Sequence, residues 1–327
     1  MRQVILERPG SFAINDVAAP EAGPGEALVR VRRIGICGTD LHAFAGRQPF
    51  FTYPRVLGHE LAVTVERIPA GHHGLRPGDH CAVRPFLNDP ASRASRRGRP
   101  NCCEGLRVLG VHVDGGMQEW LALPCEFLHP GGELLLDALA SIEPLSIGCH
   151  AVGRGAVTAD DEVLVIGAGP IGLATAQFVA LTGASLTIVE PAARRRELAS
   201  ALLPEARVLG TLQNEARFDC VFDATGNAAA MMQAFDRVAA GGRLVFVGLT
   251  RDPITFDDPS FHRREITLLA SRNATPADFE RVLAAVRTGQ VDAAAWVTHR
   301  LALDEVPARF AAVASDPTTV KAIIEVA

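Results

Sequence analysis

Apolar and polar positions fall into two unlike patterns along the chain. Up to about residue 148, short runs alternate in polarity, as in Glu26-Ala27-Leu28-Val29-Arg30-Val31-Arg32, and a period of two predicts strands with one buried face. Leu61-Ala62-Val63-Thr64-Val65-Glu66 is strand-like too, and Pro77-Gly78-Asp79 marks a turn into a strand His80-Cys81-Ala82-Val83. With Gly- and Pro-rich connections between them, these runs predict an antiparallel, loop-heavy β domain. From about Asp160 the rhythm changes. Glu162-Val163-Leu164-Val165-Ile166 is a short continuous apolar strand of the kind covered on both faces in a parallel sheet.

A helical run from Leu173 to Leu181 follows, then a strand Ser185-Leu186-Thr187-Ile188-Val189 and a strand from Cys220 to Gly226. A helix from Ala228 to Val238, a strand from Gly241 to Gly248 and a strand Ile266-Thr267-Leu268-Leu269 continue the alternation. Thr275-Pro276-Ala277-Asp278 opens a further helix, with Thr275 as N-cap and Pro276 at the first helical position. Strands alternating with helices predict a doubly wound parallel sheet. After about Val291 the composition returns to strand-like, ending in Ala322-Ile323-Ile324-Glu325-Val326, and this segment is expected to rejoin the first domain. The fold class is α/β, with a β-rich domain over 1–148 and 291–327 and a doubly wound domain over 149–290.

Composition narrows the function. A chain of 327 residues exceeds one ordinary core, and 48% apolar residues, 21% charged residues and a net charge of -5 describe a soluble globular protein. That balance offers no electrostatic attraction to nucleic acid or to an anionic membrane. No apolar run is long enough to span a bilayer and the N-terminus lacks a leader-like apolar stretch, so the expected location is the cytoplasm. Seven cysteines, an odd number at irregular spacing, read as reduced thiols and candidate ligands. Cys125, Cys149 and Cys220 have no ligand-like neighbours and are expected to be buried thiols.

Gly167-Ala168-Gly169-Pro170-Ile171-Gly172 lies between the first parallel strand and the helix after it, the setting in which a Gly-x-Gly-x-x-Gly run binds a dinucleotide. Gly167 serves the tight turn, Gly169 the close approach of a pyrophosphate, and Gly172 helix-sheet packing, while the helix N-terminus faces the phosphates. Glu190 ends the next strand about twenty residues on, where a carboxylate accepts both adenosine ribose hydroxyls and repels a 2′-phosphate. NAD is therefore favoured over NADP, although Arg194, Arg195 and Arg196 just beyond are groups a 2′-phosphate could use.

A second constellation suits a metal. Gly35-Ile36-Cys37-Gly38-Thr39-Asp40-Leu41-His42 is followed by Gly58-His59-Glu60 and later by Glu143-Pro144. Cys37 offers a thiolate, His59 an imidazole, and Glu60 or Glu143 a carboxylate, a mixed set that suits catalytic Zn²⁺ with a position left for water or substrate. Taken singly, each has an ordinary structural explanation: a buried Cys, a solvated His-Glu turn.

Together with Ile142-Glu143-Pro144-Leu145 and the glycine-rich fingerprint, these motifs resemble the zinc-containing medium-chain alcohol and polyol dehydrogenases over essentially the whole chain. The sorbitol and threonine dehydrogenase branch is the nearer one, because Glu-Pro stands where simple alcohol dehydrogenases carry a third ligand Cys. Gln48 to Glu60, Gly110-Val111-His112-Val113-Asp114-Gly115-Gly116 and Ser271-Arg272-Asn273-Ala274-Thr275-Pro276 are similar to the bacterial oxidoreductases of L-galactonate and related sugar acids. The resemblance implies a GroES-like catalytic domain, a Rossmann domain and a homo-oligomer, dimer or tetramer. It also implies oxidation of a secondary alcohol on a small polyhydroxy substrate, a sugar acid ahead of a polyol or threonine. A zinc ion at Cys37, His59 and a carboxylate would lower the pKa of the substrate hydroxyl, and Thr39 and His42 would carry the proton away. Arg195, Thr225, Gly248, Arg272 and Asn273 join Gly167, Gly169, Pro170, Ile171, Gly172 and Glu190 as expected cofactor contacts. Arg272, with Arg47 or Arg55 as runner-up, is the expected cation for a substrate carboxylate.

The family commonly carries a lobe with four cysteines that bind a structural zinc. Here the corresponding positions are Asp89, Ser92, Ser95 and Cys103, so that site is expected to be lost, leaving a metal-free loop that is mobile or held by a neighbouring subunit. Two other functions remain open: a zinc-independent reductase of the same superfamily, which has no use for Cys37, His59 and Glu143 together, and a non-enzymatic nucleotide-sensing regulator, which requires a decayed catalytic set.

Overall fold

The structure is a computed structural model and describes residues 1–48, 51–71, 74–212 and 215–327. Pro49 and Phe50, within the sugar-acid dehydrogenase match, lie outside the described residues. The chain divides into two compact units, one of Met1–Glu143, Thr275–Arg287 and Ala293–Ala327, the other of Pro144–Ala274 and Thr288–Asp292.

The first unit is built on a seven-stranded sheet whose spine is Glu26–Ile36. Its inward residues Val29, Val31 and Ile34 are fully buried. This strand pairs antiparallel with Glu60–Arg67, with Trp120–Pro124 and with Lys321–Glu325, so the chain's last strand closes on its first long one. His80–Val83 and Leu128–Pro130 extend the far side. On the near side Val297–Ala302 pairs with Lys321–Glu325 in parallel. Parallel neighbours need a crossover, and helix Val306–Ser315 supplies it. The strand-like reading of this segment missed that helix, although Val306, Phe310 and Val313 recur at helical spacing and are buried. Phe310 packs 5.0 Å from both Phe12 and Phe44.

The second unit carries a six-stranded, all-parallel sheet in the order Arg207–Leu209, Ser185–Val189, Glu162–Ile166, Phe218–Asp223, Val238–Phe246, Thr267–Ala270. Chain direction reverses across the sheet between Glu162–Ile166 and Phe218–Asp223, which opens a crevice at their carboxyl ends. Helix Pro170–Ala180 starts at Pro170 rather than at Leu173, since proline fits a first helical turn. Helix Ala228–Ala234 gives way early to a 3₁₀ turn, Phe235–Arg237.

The expected boundary at 148/149 differs from the observed division, which falls inside an unanticipated helix, Ile142–Gly155. Helix Pro276–Arg287 also lies in the first unit rather than with the nucleotide domain. Its Phe279 stacks on His129 at 5.0 Å and meets Phe86 at 6.3 Å, burying an aromatic cluster in the β-rich core. Thr275 caps it as expected: its hydroxyl oxygen accepts from the Asp278 amide at 3.3 Å, and its own amide donates to Asp278 Oδ2 at 2.8 Å. Among the described residues no helix is long and apolar enough to cross a membrane.

Candidate metal centre and dinucleotide site

Three adjacent strands bring the metal-centre candidates together. Cys37 follows Glu26–Ile36 directly and stands at the N-cap of helix Gly38–Phe44, its amide donating to Asp40 Oδ2 at 2.9 Å. Glu60 heads Glu60–Arg67 in register with Gly35. A Cβ on Gly35 would lie 2.0 Å from Glu60 Oε2, so only glycine lets the carboxylate lie across the neighbouring strand. The segment before His59 is clamped by the Gly110–Gly116 loop. Gly115 donates to Val56 O and Gly116 to Gly58 O, each at 2.8 Å, and a Cβ on Gly115 would lie 2.2 Å from Gly58 O. The glycines of that loop thus fix the backbone that presents His59.

Cys37, His59 and Glu60 offer ligand atoms within 4.8 Å of one another, the first half-buried and the other two buried. Asp40 and Glu143 are buried beside them, Glu143 in the first turn of helix Ile142–Gly155. A buried lysine answers them from the last strand: Lys321 Nζ lies 2.7 and 2.6 Å from the two Glu60 oxygens and 3.2 Å from Ile36 O. Three carboxyls and a thiol therefore face one lysine and one imidazole. Burial pushes Glu143 up to about 7, with Glu60 and Asp40 adding to the rise and His59 and Lys321 opposing it. Burial alone would lower His59, but the Cys37 thiol and the Asp40 carboxylate hold it well above its ordinary value. Among the described residues, His59 Nδ1 and Asp40 Oδ1 are buried without a hydrogen-bond partner, 3.9 Å apart. Excess anionic groups with a buried N, O and S donor set fit a zinc ion, which would relieve the repulsion these side chains otherwise share.

Thr39 and His42 lie three residues apart on helix Gly38–Phe44, hence on one face, with Thr39 half-buried and His42 exposed. Partial burial, with Arg47 adding to it, lowers the His42 pKa.

The dinucleotide candidates converge at the carboxyl ends of the parallel strands. Gly167 has φ +95° and its amide donates to Val189 O at 2.8 Å, while a Cβ on Gly172 would lie 1.8 Å from Gly167 O. Beside Gly169, at the N-cap of helix Pro170–Ala180, a Cβ would meet nothing within 4 Å, which leaves the cradle a pyrophosphate requires. The loops of Thr225 and Gly248 abut this turn: Thr225 Cγ2 would lie 3.1 Å from a Cβ on Gly167, and a Cβ on Gly248 would lie 2.3 Å from Gly226 N. Glu190 is buried, its oxygens accepting from the amides of Ala168 and Ala192 at 2.9 Å each. Of the three arginines, Arg194 pairs with Glu197, Arg196 donates to the carbonyls of Glu190 and Pro191, and Arg195 comes within 4.0 Å of Glu190. Arg272 and Asn273 follow the edge strand Thr267–Ala270, Asn273 at φ +51° with its buried Nδ2 lacking a partner.

Comparison with known proteins decides the family. Residues 23–133 match the alcohol dehydrogenase GroES-like domain and residues 170–288 the zinc-binding dehydrogenase domain. The chain is 39% identical to L-galactonate-5-dehydrogenase of Escherichia coli (strain K12) over 92% of this chain and 91% of that one. The chain belongs to the zinc-binding alcohol dehydrogenase family. To human sorbitol dehydrogenase it is 30% identical over 77% of this chain and 76% of that one. A zinc-binding dehydrogenase of Sinorhizobium meliloti 1021, solved with NADP, superposes with a TM-score of 0.89 at 28% identity, covering 99% of this chain and 98% of that one. This dehydrogenase is thus an enzyme acting on CH–OH, with a GroES-like and a Rossmann domain and with zinc and a nicotinamide as family cofactors.

Sequence reasoning missed Asp40 and Lys321. Asp40 lay inside the Gly35–His42 motif without a role, and Lys321 stood before the strand-like run Ala322–Val326, which carries Glu325 as well, so nothing set it apart. Arg55, a runner-up for a substrate carboxylate, is occupied: it bonds Asp114 and Thr52, each at 3.1 Å. Cys125, Cys149 and Cys220 are buried and in no disulfide, as expected.

Proposed function

We propose that this dehydrogenase oxidises a secondary alcohol of a sugar acid of the L-galactonate type and passes the hydride to NAD. The buried cluster of Cys37, His59 and Glu60 carries the reading, because its uncompensated anionic character suits a divalent cation at a catalytic centre. Cys37 and His59 would hold the zinc with a carboxylate; Glu60, already on Lys321, and Glu143 share that duty. Zinc bound there supplies a Lewis acid that lowers the pKa of a substrate hydroxyl, and the nicotinamide supplies the hydride acceptor. Asp40 Oδ1, 3.9 Å from His59 Nδ1, acts on the imidazole through its charge rather than through a hydrogen bond. Thr39 takes the hydroxyl proton, and His42, kept neutral by its lowered pKa, passes it to solvent. Glu190, with both oxygens held by backbone amides, still offers lone pairs to a ribose diol and a charge against a 2′-phosphate.

The likeness to an L-galactonate dehydrogenase supports the substrate class, and exposed Arg272 at the carboxyl end of its strand is the proposed anchor for the acid group. Steady-state kinetics on a panel of hexonates and hexitols, each with NAD and NADP, tests the reading. Hexonate oxidation with NAD is expected, and Arg272→Ala raises KM for the hexonate while sparing a neutral hexitol. Turnover of hexitols alone moves the enzyme to the polyol branch.

A further inference from the structure

The lobe that carries a structural zinc elsewhere in the family lacks the donors for one. Its four corresponding positions offer a single thiol, Cys103, two hydroxyls and an aspartate whose carboxylate is turned away to the Ala91 amide at 2.8 Å. Two neutral hydroxyls and one thiol do not make a closed tetrahedral zinc site. Among the described residues this lobe forms no metal-competent cluster.

The positions nevertheless still converge. The Asp89 amide donates to Cys103 Sγ at 3.3 Å, and Sγ lies 3.9 Å from the Asp89 carbonyl oxygen, its acceptor. Ser92 caps the short helix Arg93–Arg96, its oxygen accepting from the Ser95 amide at 3.1 Å, while its hydroxyl donates to Ser95 Oγ at 2.9 Å. Asn88 Nδ2 reaches Ser95 Oγ at 3.3 Å and ties the group to the strand before it. Burial works against ionisation of the Cys103 thiol, yet the polar groups of Ser92, Asp89, Gly105 and Ser95 beside it bring its pKa below the usual thiol value. Cys103 is buried, whereas Arg93, Arg96 and Arg97 around it are exposed.

We propose that the Asp89–Cys103 lobe is held together by a hydrogen-bonded knot centred on Cys103 Sγ, which occupies the place of a structural metal and makes the lobe independent of zinc. The sulfur accepts from the Asp89 amide, and beside it the Ser92 and Ser95 hydroxyls bond each other, so the positions that would otherwise present thiolates are cross-linked by hydroxyl, amide and thiol. Sulfur is a weak but large acceptor, and the Ser92–Ser95 and Asn88–Ser95 bonds share the load with it. Because these positions converge, three restored thiolates would meet Cys103 in a metal-binding arrangement.

Limited trypsin digestion of the full chain, with fragments assigned by mass, reads lobe opening as cleavage after Arg93, Arg96 or Arg97. In the wild type, removal of zinc with a chelator is expected to leave cleavage at these arginines unchanged. Cys103→Ala is expected to accelerate it about tenfold, with or without chelator, and Cys103→Ser to stay near the wild-type rate. A wild-type lobe that opens on chelation, or a Cys103→Ala lobe as resistant as the wild type, overturns the proposal. An independent arm uses D89C/S92C/S95C titrated with Co²⁺ and then Zn²⁺. A thiolate-to-cobalt charge-transfer band and a second zinc per chain, with lobe cleavage now sensitive to chelator, are expected; no added metal overturns the claim that the four positions converge on Cys103.

Discussion

Two regions of the first unit gather side chains at ligand-like spacing, and they are satisfied in opposite ways. Around Cys37, His59, Glu60, Asp40 and Glu143 the side chains are buried and charged, with His59 Nδ1 and Asp40 Oδ1 left without hydrogen-bond partners. Around Ser92, Ser95 and Cys103 the groups are neutral or weakly acidic, and their hydrogen bonds run to one another and to backbone. A protein interior tolerates charge and orphaned polar atoms only where something else compensates them. The first region asks for a cation and the second does not. Ligand-like spacing alone does not separate the two; the balance of charge and hydrogen bonds does.

The largest effect is expected from removing a donor in the first region. Cys37→Ala or His59→Ala should lower turnover about a thousandfold or more, with NAD affinity measured by fluorescence titration nearly unchanged, since the dinucleotide fingerprint lies in the other unit. Retention of near wild-type turnover by either variant would erase the contrast between the regions. Next comes Lys321→Met, which leaves Glu60 buried opposite no cation. Urea denaturation should show a loss of about 3–5 kcal/mol, and Lys321→Met combined with Glu60→Gln should recover most of it. Equal losses in the single and double variants would mean that Lys321 acts through packing rather than charge.

A smaller effect is expected at the edge of the same region. Because His42 titrates below the usual histidine value and works as a neutral proton acceptor, kcat/KM for oxidation should rise with pH through that lowered pKa and level off above it. His42→Gln should lose this limb of the profile and about tenfold in kcat. An unchanged profile would assign the limb to another group. Smallest of all, Ser92→Ala should cost about 1 kcal/mol in local lobe stability by hydrogen exchange, with zinc content and turnover unaffected. Loss of zinc in that variant would join the two regions that the structure separates.

How much of this was legible depended on whether a local rule or a distant partner was deciding. The parallel strands Glu162–Ile166 and Ser185–Val189 were readable to the residue, because a strand covered on both faces leaves a continuous apolar run bounded by turns. Gly167, Gly172 and Glu190 were readable because the turn, the close approach and the strand-end carboxylate are fixed by neighbours in sequence. Helix Val306–Ser315 was not, as its apolar positions sit between two strands and its purpose, a crossover joining parallel neighbours, exists only in the folded sheet. The same holds for Lys321. Nothing near it in sequence signals Glu60, and the two meet because the last strand pairs with Glu26–Ile36, which pairs in turn with Glu60–Arg67. The knot at Cys103 was half legible: the missing thiolates could be read, but the hydrogen bonds that replace the metal could not.

Zinc content per chain, by elemental analysis of the wild type beside Cys37→Ala and Cys103→Ala, tests the contrast most directly. The account predicts about one zinc in the wild type, about one in Cys103→Ala and none in Cys37→Ala. Two zinc ions in the wild type, or a zinc retained by Cys37→Ala and lost from Cys103→Ala, would contradict it.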